Sequence, residues 1–230
     1  MKPRLIVFDC DGTLVDSQHN IVAAMRRAFA LNHLPEPEAL AVRRTVGLSL
    51  DAAMAILRPA GGFETRLGLI EDYRRASQEM RARGVLESPL YDGAAEAIAA
   101  LDAAGYLLGV ATGKSQRGLR AMLETFDLAG HFVTLQTADD SPSKPHPGMV
   151  ERAMAEAGAT PDETVVVGDT SFDMEMAINA GARAIGVGLR TQQERPSEQP
   201  QPGRLPVTEA SDCPPRKQLR RSALRRSSRR

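Results

Sequence analysis

Asp9 and Asp11 stand one residue apart, directly behind the apolar run Leu5-Ile6-Val7-Phe8 and ahead of Gly12-Thr13. A short, continuously hydrophobic run reads as a strand buried on both faces. In an open α/β sheet the carboxyl end of such a strand is where ligands bind. Two acids there, followed by a glycine that lets the chain turn sharply, suit a divalent metal together with a nucleophile or an acid/base pair. Asp-Gly is also common turn chemistry, and a calcium loop likewise begins with alternating acids. The calcium loop fits less well. It wants a third ligand before its glycine and a Glu near its end, whereas Leu14 and Val15 follow here and the first Glu is Glu36.

Three further segments place polar residues where strands should end. Val110-Ala111 runs into Thr112-Gly113-Lys114. A hydroxyl and a glycine amide at a helix start can hold phosphate oxygens, or can be an ordinary Thr cap with a flexible glycine. Ser143-Lys144-Pro145-His146-Pro147 opens a helix; proline is normal punctuation there and also directs Lys144, either as a solvated cation or as a phosphate-binding one. Gly168-Asp169-Thr170-Ser171-Phe172-Asp173 follows the run Val165-Val166-Val167. Acids at i and i+4 are expected on one helix face. Capping and the helix dipole account readily for one of them, less readily for the second.

The elements that must position these residues alternate along most of the chain. Strands are expected over 5–8, 106–111, 132–135, 164–168 and 183–187, with helices over 92–104, 116–126, 148–157 and 174–180 between them. Repeated βα units of this kind build a parallel sheet covered on both faces, so the fold class is α/β with a Rossmann-like parallel core. Between Val15 and Leu86 there is no strand signal, only helical spacing over 20–31, 40–57 and 63–83, broken at Pro35-Glu36-Pro37 and Pro59-Ala60-Gly61-Gly62. The organisation expected is therefore a core made of 1–15 and 89–190 with an all-helical insertion over 16–88.

The 230 residues, 42% of them hydrophobic, can build such a core, and without Trp it must come from Ala, Leu, Val, Ile and Met. The N-terminal apolar run is too short for a secretory h-region, and no segment reaches the roughly 18 apolar residues of a membrane span. Cys10 and Cys213 lie far apart, so a structural disulfide is not expected and a reducing, cytoplasmic setting is. The formal net charge of zero hides an asymmetry: 191–230 holds ten Lys/Arg against four Asp/Glu, so the body is acidic and the tail basic. Nucleic acid is therefore not an expected partner of the body, and neither is a membrane. The tail, with six prolines and no aromatic residue, reads as disordered.

In this order, each at a strand end, the segments resemble the haloacid dehalogenase-like hydrolase superfamily. Asp9-x-Asp11-Gly12-Thr13, Thr112, Lys144-Pro145 and Gly168-Asp169-x-x-x-Asp173 look like its four motifs, over roughly residues 4–189. Tyr91-Asp92-Gly93, Lys144-Pro145-His146-Pro147, Gly168-Asp169-Thr170 and the position of the helical insertion resemble the phosphoglycolate phosphatase-like subfamily, whose insertion is a helical cap. The resemblance implies Asp9 as nucleophile forming an aspartyl-phosphate and Asp11 as general acid and base. It implies Mg²⁺ on Asp9, the Asp11 backbone carbonyl and Asp169. Thr112, the Gly113 amide and Lys144 would hold phosphate oxygens, and Asp173 would orient the Asp169 side or Lys144. An acid at Asp11 suits an alkoxide leaving group that needs a proton, which a halide does not, so a phosphatase is expected before a dehalogenase. The expected substrate is a small phosphoester resembling 2-phosphoglycolate. A sugar-phosphate mutase or a pyrophosphatase is the neighbouring reading, and a non-catalytic protein binding nucleic acid through its basic tail the distant one. Arg43, Arg44 and the Val46-Gly47-Leu48-Ser49 turn are candidates for substrate contact, or are simply solvated. Past Leu189 the chain leaves the family pattern abruptly, as a shifted reading frame near residue 190 or a natural basic tail would.

Overall fold

The computed structural model describes residues 3–83 and 88–188. The tail expected from residue 191, and the frame shift suggested for it, lie outside them. Five parallel strands form one sheet in the order β3-β2-β1-β4-β5: β1 (Leu5–Phe8), β2 (Leu107–Thr112), β3 (Phe132–Thr137), β4 (Thr164–Gly168) and β5 (Arg183–Gly186). The helices that cross over between them are α5 (Ala94–Ala103), α6 (Gln116–Thr125), α7 (Gly148–Ala157) and α8 (Ser171–Asn179). This is the doubly covered α/β sheet that the alternation predicts.

β1 is central, and every residue of it is buried. Side chains alternate across a strand: Leu5 and Val7 pack with Met149, Val150 and Met176, while Ile6 and Phe8 pack with Ile98, Leu119 and Leu123. Burying each such side chain is worth roughly 1.5–3 kcal/mol, which fixes the end of β1 firmly in the sheet. Phe8 registers with Val110 of β2 and Val167 of β4. The three strands therefore end side by side, at Asp9, Thr112 and Gly168-Asp169.

Four helices follow β1 without an intervening strand: α1 (Gln18–Leu31), α2 (Ala39–Arg43), α3 (Leu50–Leu57) and α4 (Phe63–Ala82). They share their own apolar cluster, in which Met25, Phe29, Val42, Met54 and Leu69 are buried. The chain leaves the sheet and returns to it at adjacent points. Val15 and Leu90 form an antiparallel bridge, Asp16 N donates to Pro89 O at 2.9 Å, and Tyr91 N to Leu14 O at 3.0 Å. No described helix is long and apolar enough to cross a membrane.

Two expectations about helices are corrected. The single helix expected over 40–57 is two, because Gly47 takes φ +92°, a conformation closed to helices and costly for residues with a Cβ, and Ser49 then caps α3 by accepting from Ala52 N. The helix expected from residue 174 begins at Ser171, with Thr170 as its cap and Asp173 in its first turn. Asp169 therefore precedes the helix and does not share a helical face with Asp173; the two meet because the connection after β4 folds back.

Candidate active site

Asp9 extends β1 by one residue, its backbone N–H donating to Val167 O at 2.8 Å, and it is fully buried. Lys144, on the loop between β3 and α7, reaches it across 135 residues of sequence. Its Nζ donates to Asp9 Oδ1 at 2.5 Å and to Asp173 Oδ1 at 2.6 Å. The other oxygen of Asp173 accepts from the Thr170 amide and hydroxyl in the capping box of α8. Thr13 Oγ1 donates to Asp169 Oδ1 at 3.1 Å. Gly12 is required at this approach: a Cβ there would lie 2.3 Å from Asp169 Oδ2, and its φ is +92°.

Carboxylate oxygens of Asp9, Asp169 and Asp173 lie within 4.8 Å of one another. Burial pushes the Asp9 carboxyl up to about 8 despite the opposing pull of Lys144, with Asp173 adding to the rise. Burial and then the charge of Asp173 raise Asp169 to about 6. Burial also opposes a charge on Lys144, but Asp9 and Asp173 outweigh it and lift its pKa above the ordinary lysine value. One ammonium thus faces three carboxyls. Asp9 Oδ2 is buried and accepts no hydrogen bond among the described residues, a costly condition for a carboxylate oxygen. Hard oxygen donors short of positive charge are what a divalent cation such as Mg²⁺ binds, so the residues present fit such an ion.

Asp11 turns the other way. Its Oδ1 accepts from Ser17 Oγ at 2.5 Å and pairs with Lys114 Nζ at 2.7 Å. Its carboxylate therefore lies outside the trio of acids, in which Asp173 stands instead. Thr112 is buried at the end of β2, and its hydroxyl accepts from the Lys114 backbone N–H at 3.2 Å. Gly113 leaves room for the turn between α2 and α3: a Cβ there would sit 2.2 Å from Leu48 O. The same turn is tied to the Lys144 loop, Ser49 N donating to Ser143 Oγ at 2.9 Å.

A cavity of about 430 Å³ lies between the helical block and the sheet. Asp11, Gly113 and Lys114 line its sheet side, and the Val46–Ser49 turn and Tyr73 its helical side, while Asp9, Lys144 and Asp169 do not reach it. Arg43 and Arg44 are exposed and lie off its wall; Arg74, Arg81 and Arg117 line it instead. α2 places Val42 inward against Met54 and Leu69, which turns its terminal arginines outward. Lys114 is the residue the sequence reading passed over. Its signal was a cation just ahead of the Ser115 cap of α6, where the helix dipole disfavours positive charge unless an acid is close.

The sequence profile of the haloacid dehalogenase-like hydrolases matches residues 6–187, and the chain belongs to that family. Within it, a protein of Dickeya dadantii called "Probable phosphatase IndB" is 36% identical over 208 residues, 87% of this chain and 88% of its own length. A tyrosine-protein kinase, PtkA of Mycobacterium tuberculosis, is 34% identical over 81% of this chain, which spans 62% of that protein. A phosphoglycolate phosphatase of Pseudomonas putida is 29% identical over 87% of this chain and 75% of its own. The crystal structure of a haloacid dehalogenase-like hydrolase from Bacteroides fragilis superposes with a TM-score of 0.74 at 23% identity, covering 84% of this chain and 92% of that one, a likeness of fold.

Proposed function

We propose that the chain is a Mg²⁺-dependent phosphatase that hydrolyses a small phosphoester through an aspartyl-phosphate on Asp9. One observation carries this reading: a fully buried carboxylate with an unpartnered oxygen, at the end of the central strand, clamped on its other oxygen by Lys144. An oxygen free of hydrogen bonds is a better nucleophile, and its partner oxygen fixes the direction of attack. Asp9 Oδ2 attacks phosphorus and the ester P–O bond breaks. Asp11 gives the departing oxygen a proton, then takes one from the water that releases phosphate from Asp9. Thr112 Oγ1, the Gly113 amide and the Lys144 ammonium hold the phosphoryl oxygens as charge builds on them. Asp173 keeps Lys144 in place. Asp9, the Asp11 backbone carbonyl and Asp169 would hold Mg²⁺, which supplies the positive charge that lets an anionic nucleophile approach an anionic phosphate.

The helical block, residues 16–88, is in this reading a cap over a core of 1–15 and 89–190, shielding the site and choosing the leaving group. A 2-phosphoglycolate-like substrate is supported by the similarity to the Pseudomonas putida enzyme and by the arginines on the cavity wall. The test is phosphate release from a panel of small phosphoesters that includes 2-phosphoglycolate, with and without Mg²⁺, beside Asp9→Asn. Turnover that needs the metal and disappears in the variant is expected. Metal-dependent turnover that survives Asp9→Asn would overturn the covalent route.

A further inference from the structure

We infer that Lys114 is the residue that aims Asp11 at the leaving group, by occupying Oδ1 so that Oδ2 alone handles the proton. The inference rests on the phosphatase reading and adds a positioning residue to it. Two donors converge on one oxygen of Asp11: Lys114 Nζ at 2.7 Å and Ser17 Oγ at 2.5 Å. No hydrogen bond among the described residues reaches Oδ2. With both lone pairs of Oδ1 engaged, a proton carried by this carboxyl sits on Oδ2. The donors come from different parts of the chain, Ser17 from the start of α1 and Lys114 from between β2 and α6, so the carboxyl plane is held from two sides.

The location fits the task. Asp11 and Lys114 both line the cavity, so this pair faces the space that a leaving group would occupy, while Asp9 lies buried at the end of β1. Among the described residues Lys114 pairs with no other acid, whereas Asp11 is nearly buried and would otherwise lack a cation. Lys114 also follows Gly113, the residue that receives the Leu48 carbonyl of the cap turn. The segment that seats the turn is thus the one that carries the ammonium.

The proton balance is simple. As Asp9 Oδ2 bonds to phosphorus, the P–O bond to the leaving oxygen breaks with its electron pair on that oxygen, which takes the proton from Asp11 Oδ2. In the second half a water oxygen bonds to phosphorus, its proton passes to Asp11 Oδ2, and the Asp9–phosphorus pair returns to the carboxylate.

A leaving group that needs no proton separates this role from a structural one. kcat/KM, which reports the steps up to aspartyl-phosphate formation, is measured for the best alkyl phosphate of the panel and for p-nitrophenyl phosphate. Lys114→Met is expected to lower the alkyl value roughly 100-fold, in line with general acid catalysis, and the aryl value less than about fivefold. The alkyl loss should fall in kcat, with KM nearly unchanged, and Lys114→Arg should recover part of it. Ser17→Ala, the second variant should Lys114→Met fold poorly, is expected to show the same alkyl bias at smaller size. Equal losses on both substrates, no loss, or a rise confined to KM would overturn the inference. If the wild-type protein releases phosphate from neither substrate, the phosphatase reading itself falls and this role falls with it. An active wild type with unbiased variants removes this role alone.

Discussion

Lys144 meets Asp9 and Asp173 where none of the three residues is more than slightly exposed, whereas Lys114 meets Asp11 at the edge of a cavity, with 22% of its side chain open to solvent. The first pair is locked among three acids and a sheet; the second joins the sheet to the space under the helices. Both are lysine–aspartate contacts of under 3 Å, yet their consequences differ. A fully buried ion pair has lost its hydration and depends on its partners, while a partly wet one is screened and contributes little to stability. In the proposed mechanism the site thus separates a fixed charge template, on the Asp9 side, from a proton-handling arm on the Asp11 side.

Removing the proposed nucleophile is the largest way to break this contrast. Asp9→Asn should abolish turnover by a factor of roughly 10⁴ or more, as losing a covalent nucleophile does elsewhere, measured as phosphate release at saturating substrate. Lys144→Met comes next. It strands Asp9 and Asp173 without a cation, so beyond inactivity it should cost about 3–5 kcal/mol in urea unfolding. An unchanged midpoint would show that the trio tolerates isolation and that the template is not structural.

The acid trio also sets a pH dependence for the metal-free protein. Asp9 and Asp169 have folded pKa values raised above the ordinary carboxyl value. Their neutral forms favour the fold, so this contribution is complete below about pH 4 and fades as pH rises through about 6 and then about 8. For Asp169 alone the displacement corresponds to roughly 3 kcal/mol. In a chelator, Tm should therefore fall between pH 4 and 8, by roughly 6–12 °C from Asp169 alone, given about 2–4 °C per kcal/mol at this size. Mg²⁺ should flatten the decline. A metal-free Tm that rises over this range would contradict the assignment. Smallest is the stability cost of Lys114→Met, expected within about 1 kcal/mol, against the several expected at Lys144. A cost as large as that at Lys144 would erase the distinction between the two pairs.

How much of this was legible in the sequence follows from range. The end of β1 was readable because an apolar run and the two acids behind it are contiguous, and likewise for β4 with Asp169. The sheet itself was readable from alternation. What the sequence did not disclose depends on contacts between distant segments. Lys144 and Asp9 are 135 residues apart, and nothing local says that one lysine should bridge Asp9 and Asp173. The division of 40–57 into two helices turns on one glycine, Gly47, whose positive φ of +92° helical spacing alone does not announce. Arg43 and Arg44 are solvated, one of the two readings open for them, while Arg74, Arg81 and Arg117 on the cavity wall give no sign in the sequence, because helical spacing does not say which side faces a void. Lys114 has no visible partner in the sequence, since only the fold brings Asp11 to meet it.

The bridge between Val15 and Leu90 has an engineering consequence. The chain departs and returns through two neighbouring, hydrogen-bonded segments, so the sheet need not change its path when what lies between them does. The helices behave as a cartridge on a fixed socket. If the helices choose the leaving group as proposed, a chimera that keeps Leu14–Asp16 and Pro89–Tyr91 while exchanging what they enclose should keep the Asp9 and Lys144 site and take its selectivity from the donor. In such a lineage, chemistry and taste for substrate can change hands at different times.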